Sequence, residues 1–316
     1  MNKSDTVLEK IAPARPVARA PRPGVSLRAA GIGLLLVTLA FAQPLGRLAE
    51  FAFASDLYSY ILIIPALSAY LAWQKIGSLP RDGRPARRWA GALLFCGGAV
   101  LGVYLIATRA GATFSEEDGL AFTTTSFLLI AVGVIAWFLA RSLVVGLAFP
   151  LGMLAFLIPL PSEAMVAVET FMQHGSAWVA KGLFSLSGTA VFYQSLVFQL
   201  PGINLLVAPE CSGIRSTVAL TIVGLVTGYF FLRTPMHRAI LVLAILPLAL
   251  LRNGFRIFTI GELCVQIGPH MIDSPLHHRG GPIFFALSLV PFFLFAYLLQ
   301  KNEQRRRLSP GRLEKR

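Results

Sequence analysis

Long apolar runs, separated by short polar segments, occupy most of the chain. Eight of these runs approach the roughly 20 residues that an α-helix needs to cross a bilayer. We expect helices at about 29–46, 57–74, 89–108, 121–140, 143–160, 213–232, 239–258 and 281–300. The pattern therefore predicts an all-α polytopic membrane protein with about eight transmembrane helices.

One long region, 161–212, does not follow this pattern. Its first half is moderately amphipathic, which favours a helix along the outer membrane interface. Its second half is rich in β-branched and aromatic residues and is interrupted by Pro201 and Gly202, which favours a short hairpin-like element. We therefore expect an amphipathic and β-like periplasmic element directly before the sixth helix.

The composition supports a membrane protein. Of the 316 residues, 55% are hydrophobic and only 14% are charged, which is more apolar surface than a soluble core of this size requires. The net charge of +13 would suggest a nucleic-acid partner in a soluble protein. Because the basic residues flank the apolar runs, we expect them to orient the chain in a lipid bilayer, and we expect no nucleic-acid partner.

Lys and Arg residues concentrate in the N-terminal segment, in the loop at 75–88 and in the C-terminal tail. This bias is typical of cytoplasmic segments. With the N-terminus inside, both ends of the chain and 21 of its 28 Lys and Arg residues lie on the cytoplasmic side. We expect a disordered basic cytoplasmic arm at 1–28, a transmembrane domain at 29–300 and a basic cytoplasmic tail at 301–316.

The segment PECSGIRS places Cys211 at the outer end of the sixth predicted helix. The positive end of a helix dipole stabilises a thiolate, and Arg215, one turn later, acts in the same direction. Backbone N–H groups at the helix entry formed by Ser212 and Gly213 offer donors for an oxyanion. A buried cysteine beside a capping serine is the alternative, and spacing alone does not decide between the two.

The other cysteines point to no disulfide framework, because the three in the chain are few and odd in number. Cys96 lies inside an apolar run, where we expect it to pack as a small residue. A disulfide between Cys211 and Cys264 is an alternative if that side of the membrane is oxidising.

A second polar segment, LRNGFRI at 251–257, places Arg252 and Arg256 four residues apart. They therefore share one face, at the outer end of the seventh predicted helix, with Asn253 close by. Arginine at membrane depth usually marks a functional or paired site. Snorkelling to the interface is the alternative, and it accounts for one arginine more easily than for two.

A third segment, PLHHRGG at 275–281, places His277 and His278 just before the eighth predicted helix, again outside. Histidine is the natural general base near neutral pH. The nearby carboxylates of Glu262 and Asp273 do not have metal-ligand spacing, so we expect no metal and no other cofactor. A thiol, arginines and histidines at one membrane face are the groups that acyl transfer through a thioester requires.

At these residues the sequence resembles the exosortase/archaeosortase family of membrane transpeptidases. The family pattern corresponds here to CSGIRS at 211–216, NGFR at 253–256 and HHRGG at 277–281. The resemblance extends over about 55–300 and corresponds to the bacterial branch, without the soluble C-terminal domain that some members carry. It implies that Cys211 is the nucleophile, Arg256 stabilises the oxyanion or intermediate, and His277 is the general base, with His278 an adjacent alternative.

The resemblance also implies the substrate and the place of action. We expect a cysteine protease or transpeptidase of the bacterial inner membrane, with its active site on the periplasmic face. Its partners would be membrane-anchored proteins that carry a C-terminal sorting signal of the Pro-Glu-Pro type, and region 161–212 would form a groove for that motif as an extended strand. The cleaved protein would pass to an acceptor through a thioester acyl-enzyme.

Two other functions fit the same residues. A transporter or a scaffold for polysaccharide export would use Arg252 and Arg256 to bind an anion, although the sequence has no internal repeat. A membrane acyltransferase would move lipid-derived acyl groups through the Cys211 thiol. The sequence does not determine the acceptor, the roles of Arg252 and Arg215, or the oligomeric state.

Overall fold

A computed structural model describes residues 26–79, 84–209, 212–276 and 280–308. The predicted arm at 1–28 lies outside the described residues up to residue 25. Its last two residues belong to the first helix, which begins at Leu27 after the N-cap Ser26. The boundary between arm and helix is therefore two residues earlier than expected.

Helices form most of the described chain. They are α1 (Leu27–Ala40), α2 (Ala42–Ala54), α3 (Ile64–Ile76), α4 (Arg87–Arg109), α5 (Glu116–Phe138), α6 (Arg141–Gly146), α7 (Ala148–Met153), α8 (Ser162–Ser187), α9 (Ile214–Phe231), α10 (Pro235–Leu243), α11 (Ile245–Gln266) and α12 (Gly281–Leu308). Short 3₁₀ segments lie at Ser59–Leu62, Leu154–Leu157 and Pro269–Asp273. The described residues also form three strands, β1 (Phe192–Gln194), β2 (Val197–Leu200) and β3 (Ile203–Leu206).

Five helical segments of the described chain are long and apolar enough to cross a membrane: Arg87–Arg109, Glu116–Phe138, Ile214–Phe231, Pro235–Gln266 and Gly281–Arg306. Two bent pairs, Leu27–Ala40 with Ala42–Ala54 and Ala148–Leu157 with Ser162–Ser187, raise the number to seven if each pair is one span. The protein is therefore a multi-pass membrane protein, and the expected count of eight spans is not confirmed.

Prolines interrupt three of the predicted continuous helices. Pro44, Pro150 and Pro247 are each the third residue of a helix. A proline has no N–H for the carbonyl four residues earlier, and its ring clashes with that carbonyl. The preceding helices end at the residues four positions before these prolines, which are Ala40, Gly146 and Leu243. The predicted helices 29–46, 143–160 and 239–258 are broken for this reason.

The second predicted helix, 57–74, also differs from the structure. Its first residues form a turn and the 3₁₀ segment Ser59–Leu62, and α3 begins only at Ile64. Pro65 is the second residue of α3. Proline is tolerated there because an N–H in the first turn of a helix makes no intrahelical hydrogen bond. The remaining helix has 13 residues, or about 20 Å at 1.5 Å per residue.

Contacts divide the chain into two compact units. The first consists of Met1–Gly46, Ile64–Thr113 and Phe122–Ile158. In its described part, α4 and the second half of α5 approach closely, since a side chain at Gly97 would meet Ile130 at 2.7 Å. The buried hydroxyl of Ser126 donates to the Gly97 carbonyl at 2.8 Å, so a polar contact joins the same two helices.

The second unit consists of Arg47–Ile63, Phe114–Ala121 and Pro159–Arg316. Its centre is the crossing of α8 with α11. A side chain at Gly254 would meet Val179 at 2.6 Å, and one at Gly261 would meet Phe184 at 2.5 Å. The two helices pack at this separation because α11 has no side chain at either crossing point. The predicted helix in the first half of 161–212 is therefore packed against α11.

A three-stranded antiparallel sheet follows α8, where we predicted a hairpin-like element. Its order is β1-β2-β3, and Pro201 and Gly202 form the turn between β2 and β3, with Gly202 at φ +84°. One face is apolar and packs on α8 and α11. Its buried core contains Ala177, Ala180, Phe184, Phe198, Leu200, Leu205, Val207 and Ile257.

A buried carboxylate joins α12 to the connection between α9 and α10. Glu303, 6% exposed, accepts hydrogen bonds from the backbone N–H groups of Arg233 and Thr234, at 3.0 and 2.9 Å. The Thr234 hydroxyl at 2.6 Å and Nδ1 of His237 at 2.8 Å complete its contacts. The negative charge lies at the N-terminus of α10, where the helix dipole favours it.

We predict that Glu303→Ala destabilises the protein, because it leaves buried donors without an acceptor. The free energy of unfolding should fall by about 2–4 kcal/mol, measured by unfolding in detergent. Glu50→Ala, on the exposed side of α2, is the control and should change stability by less than about 0.5 kcal/mol. Equal stability of the two variants would contradict the role assigned to Glu303.

Candidate functional site

Two of the predicted site residues, Cys211 and His277, lie outside the described residues, as does the alternative base His278. Arg256 is described. The chain before Glu210 and the chain after Cys211 are described as well. The structure therefore shows how the flanks of the candidate nucleophile are held and what surrounds Arg256.

Gly213 forms the entry to α9, two residues after Cys211 in the sequence. Its φ of +74° is left-handed, and it is the N-cap of the helix without a side-chain cap. Its carbonyl accepts from the Ser216 hydroxyl at 3.0 Å and from the hydroxyl and N–H of Thr217 at 2.9 and 3.1 Å. Ser212 is 3% exposed and does not cap α9, so the structure does not support the capping serine of the alternative interpretation.

Arg252 adds a fourth donor to the Gly213 carbonyl. Its Nη2 donates to that oxygen at 3.1 Å and to the Thr217 hydroxyl at 3.3 Å. The side chain is 8% exposed and lies well inside α11, which continues to Gln266. The prediction that the two arginines lie at the end of their helix is therefore wrong, and Arg252 turns inward where snorkelling would turn it outward.

The flank before Cys211 is held in a similar way. The Val207 N–H donates to the Leu196 carbonyl at 2.9 Å, which continues the pairing of β3 with β2. The Val207 carbonyl accepts from Nε2 of Gln173 at 3.1 Å, and Gln173 is a buried residue of α8. Buried polar side chains of α8 and α11 thus hold carbonyls at positions 207 and 213.

Arg256 lines a pocket between α11 and the end of β3. The pocket is lined by Leu205, Leu206, Val207, Asn253, Arg256, Ile257 and Ile260. Arg256 is half-buried, and among the described residues of this lining it is the only charged one. A cation in the wall of an apolar pocket can stabilise a negative charge placed beside it.

The role of Arg215 is clearer from its surroundings. Its guanidinium pairs with Asp56 at 3.3 Å, and both side chains are largely exposed. An exposed pair of this kind contributes little to stability.

Two tyrosines follow Asp56 closely in the sequence. Burial raises the pKa of Tyr60 to about 12, and burial also raises the pKa of Tyr58. Both phenols are therefore neutral near physiological pH.

Cys96, Cys264 and Glu262 have other surroundings. Cys96 is exposed on α4, so the expectation that it packs inside the protein is wrong. Cys264 is a buried free thiol, so the structure does not support the disulfide alternative. Glu262 accepts hydrogen bonds from Ser187, Thr189 and Gln266. No group of three metal-ligating side chains occurs among the described residues.

Sequence reasoning missed two residues that hold the site. Gln173 and Thr217 are ordinary polar residues of helices, and their partners Val207 and Arg252 are more than thirty residues away. The sequence carries one weak signal for Thr217, which is four residues after Gly213 and so on the same side of the first helical turn. The sequence carries no comparable signal for Gln173.

Comparison with known proteins gives one match. A family model described as transmembrane exosortase (Exosortase_EpsH) matches residues 52–294, which is more than half of the chain. Among curated proteins, none matches. Among solved structures, none matches either.

We predict that Gly213→Ala destabilises the protein more than Gly188→Ala does. Both glycines are left-handed, at φ +74° and +77°, so alanine meets the same backbone strain. A side chain at Gly213 would also approach Asn253 at 2.9 Å and Arg252 at 3.2 Å, whereas Gly188 faces open space. The difference in free energy of unfolding should be about 1–3 kcal/mol, and equal losses would contradict the close packing.

Proposed function

Because the chain belongs to the transmembrane exosortase family, we propose that it is a membrane-embedded cysteine transpeptidase. In this proposal it cleaves the C-terminal sorting signal, of the Pro-Glu-Pro type, of proteins exported across the bacterial inner membrane. It then transfers the cleaved protein to an acceptor on the periplasmic side. The catalytic residues are Cys211, Arg256 and His277.

One observation carries most of the support. Arg256, the arginine of the family motif, lines a pocket together with Val207, on the segment that leads into Cys211. The carbonyl of Gly213, on the other flank, is bound by Arg252 from the same helix. In the sequence, the candidate nucleophile therefore lies between a flank that Gln173 of α8 holds and a flank that Arg252 of α11 holds. Helix α11 also carries the candidate oxyanion stabiliser, Arg256.

The charges near this segment favour an anion. The N-terminus of α9 carries the positive end of its dipole, and α11 adds Arg252 and Arg256. These positive charges would stabilise a thiolate on Cys211 or an oxyanion on the substrate, and a low local dielectric would strengthen the attraction.

The proposed reaction has two halves. In the first, His277 takes the thiol proton, the Cys211 sulfur bonds to the scissile carbonyl carbon, and Arg256 stabilises the oxyanion. His277 then gives its proton to the leaving amide nitrogen as the C–N bond breaks, leaving a thioester. In the second, His277 deprotonates the acceptor nucleophile, which attacks the thioester and releases Cys211.

We predict that Cys211→Ala and Cys211→Ser abolish processing of a tagged substrate without loss of protein from the membrane. Arg256→Ala should reduce the rate by about 10²–10³, and His277→Ala by about 10²–10⁴. Cleavage is measured by immunoblot in cells that carry one variant as the sole copy. Cys96→Ala, at an exposed thiol outside the site, is the control and should process normally. Full processing by Cys211→Ala would exclude the mechanism.

His278→Ala separates the two candidate bases. If His277 is the base, this variant keeps most of the activity that His277→Ala loses. The opposite result would move the role to His278 and leave the rest of the mechanism unchanged.

We also predict that Cys211 carries a peptide after brief exposure to substrate and an acid quench. Mass spectrometry of the Cys211 peptide identifies the adduct, and Cys96 should remain unmodified. A fatty acyl mass would identify an acyltransferase instead. A Cys211 thiol that stays unmodified and reacts with an alkylating agent no faster than a model thiol would favour a transporter or scaffold.

A further inference from the structure

Basic side chains gather at one end of the first unit. The starts of α1, α4 and α6 and the last turn of α3 meet there, and each of them carries at least one Arg or Lys. A further Arg lies just before α4. We call this set the cationic end, and its members are Arg28, Lys75, Arg84, Arg87, Arg88 and Arg141.

Backbone contacts join two members of the cationic end. The Arg141 N–H donates to the Arg84 carbonyl at 3.1 Å, and Pro85 pairs with Ala140 as an isolated antiparallel bridge. The segment before α4 is therefore fixed against the junction of α5 and α6. Because these contacts use backbone atoms, the side chains of Arg84 and Arg141 take no part in them, and both residues are exposed.

An apolar core brings the other helix ends to the same junction. Leu79, four residues after Lys75, packs against a buried cluster that also contains a residue of α1, two positions after Arg28. The members of this cluster are Ala30, Leu139, Ala140 and Leu143. The start of α1 and the end of α3 are therefore held beside the junction of α5 and α6.

The cationic end has no acidic partner among the described residues of its unit, which contain no aspartate or glutamate. Within the described part of the chain, none of its six side chains forms an ion pair. Five of the six residues are exposed, and Lys75 is half-buried. Like charges gathered at one end repel one another, and a bound anion reduces this repulsion.

Tryptophans indicate the depth of the cationic end in the membrane. Trp73 and Trp89, each within two residues of a basic member, are 74% and 67% exposed. Trp137 is 40% exposed, and the guanidinium of Arg87 lies 5.9 Å from the centre of its ring. Tryptophan concentrates where the hydrocarbon core meets the lipid headgroups. The six cations therefore lie at the level of the lipid phosphates.

We propose that the cationic end binds the phosphate group of an anionic phospholipid, with Arg84 and Arg141 among its donors. Arginine suits phosphate because its planar guanidinium donates two parallel hydrogen bonds. The acyl chains then lie along the exposed apolar sides of α3 and α4. This inference goes beyond the proposed function and does not depend on it.

An anionic lipid fits this surface better than a zwitterionic lipid or a soluble polyanion does. A phosphatidylcholine headgroup brings a quaternary ammonium, and the described residues of this unit offer no carboxylate to meet it. A soluble polyanion would meet the arginines but not the apolar helix surface that continues from them. Only a lipid with a net negative headgroup complements both parts of the surface.

Native mass spectrometry tests the proposal on the purified protein in detergent, titrated with phosphatidylglycerol or with phosphatidylcholine. We expect the unmodified protein to bind phosphatidylglycerol more tightly. Arg84→Gln and Arg141→Gln should each weaken this binding about fivefold, which is the contribution of one basic residue near an anionic lipid surface. Arg84→Lys and Arg141→Lys keep the charge and should retain binding within about twofold.

The matched control is Arg109→Gln, which removes the same charge from the other end of α4. That helix has 23 residues and is about 35 Å long, so Arg109 is far from the cationic end. We expect Arg109→Gln to bind phosphatidylglycerol as the unmodified protein does.

Three results would overturn the proposal. The first is equal affinity of the unmodified protein for the two lipids. The second is the same affinity for phosphatidylglycerol in Arg84→Gln, Arg141→Gln and Arg109→Gln. The third is displacement of phosphatidylglycerol by an oligonucleotide at comparable concentration, which would assign the surface to a soluble polyanion.

Discussion

The hydrogen bond from the Arg252 guanidinium to the Gly213 carbonyl ties the middle of α11 to the entry of α9. A buried cation is tolerated only where acceptors meet it, and here a glycine in the left-handed region supplies the carbonyl at close range. Any side chain at position 213 would collide with Asn253 and Arg252. Charge, backbone geometry and the absence of a side chain therefore depend on one another at this point.

A charged side chain holds the chain at each end of α9, a cation at the beginning and an anion beyond the end. At its beginning, Arg252 meets a backbone carbonyl, and beyond its end, Glu303 meets the N–H groups that open α10. Between these two points the helix contacts its neighbours through apolar side chains such as Leu220. Among the described residues, the buried side chains of Arg252 and Glu303 contact backbone groups at helix ends, where the regular hydrogen bonding of helices is interrupted.

Apolar packing and buried polar side chains have separate roles around the candidate site as well. Close packing of α8 on α11, permitted by Gly254 and Gly261, provides the rigid base on which the small sheet lies. Gln173 then holds Val207, so that the chain leaves the sheet toward Cys211 from a fixed position.

The sequence by itself determined the class of the protein, the approximate place of most helices and the hairpin at Pro201 and Gly202, because these depend on local composition and spacing. It also supplies Cys211, Arg256 and His277 as candidate site residues. Pro44, Pro150 and Pro247 are the reason that three predicted helices are broken. The prediction missed this because it relied on the length and hydropathy of each apolar run. Only the tertiary structure decided that Arg252 turns inward to Gly213, that Gln173 holds Val207 and that Glu303 meets His237. These are contacts between residues far apart in the chain, and no local pattern selects one polar partner among many before the helices have packed.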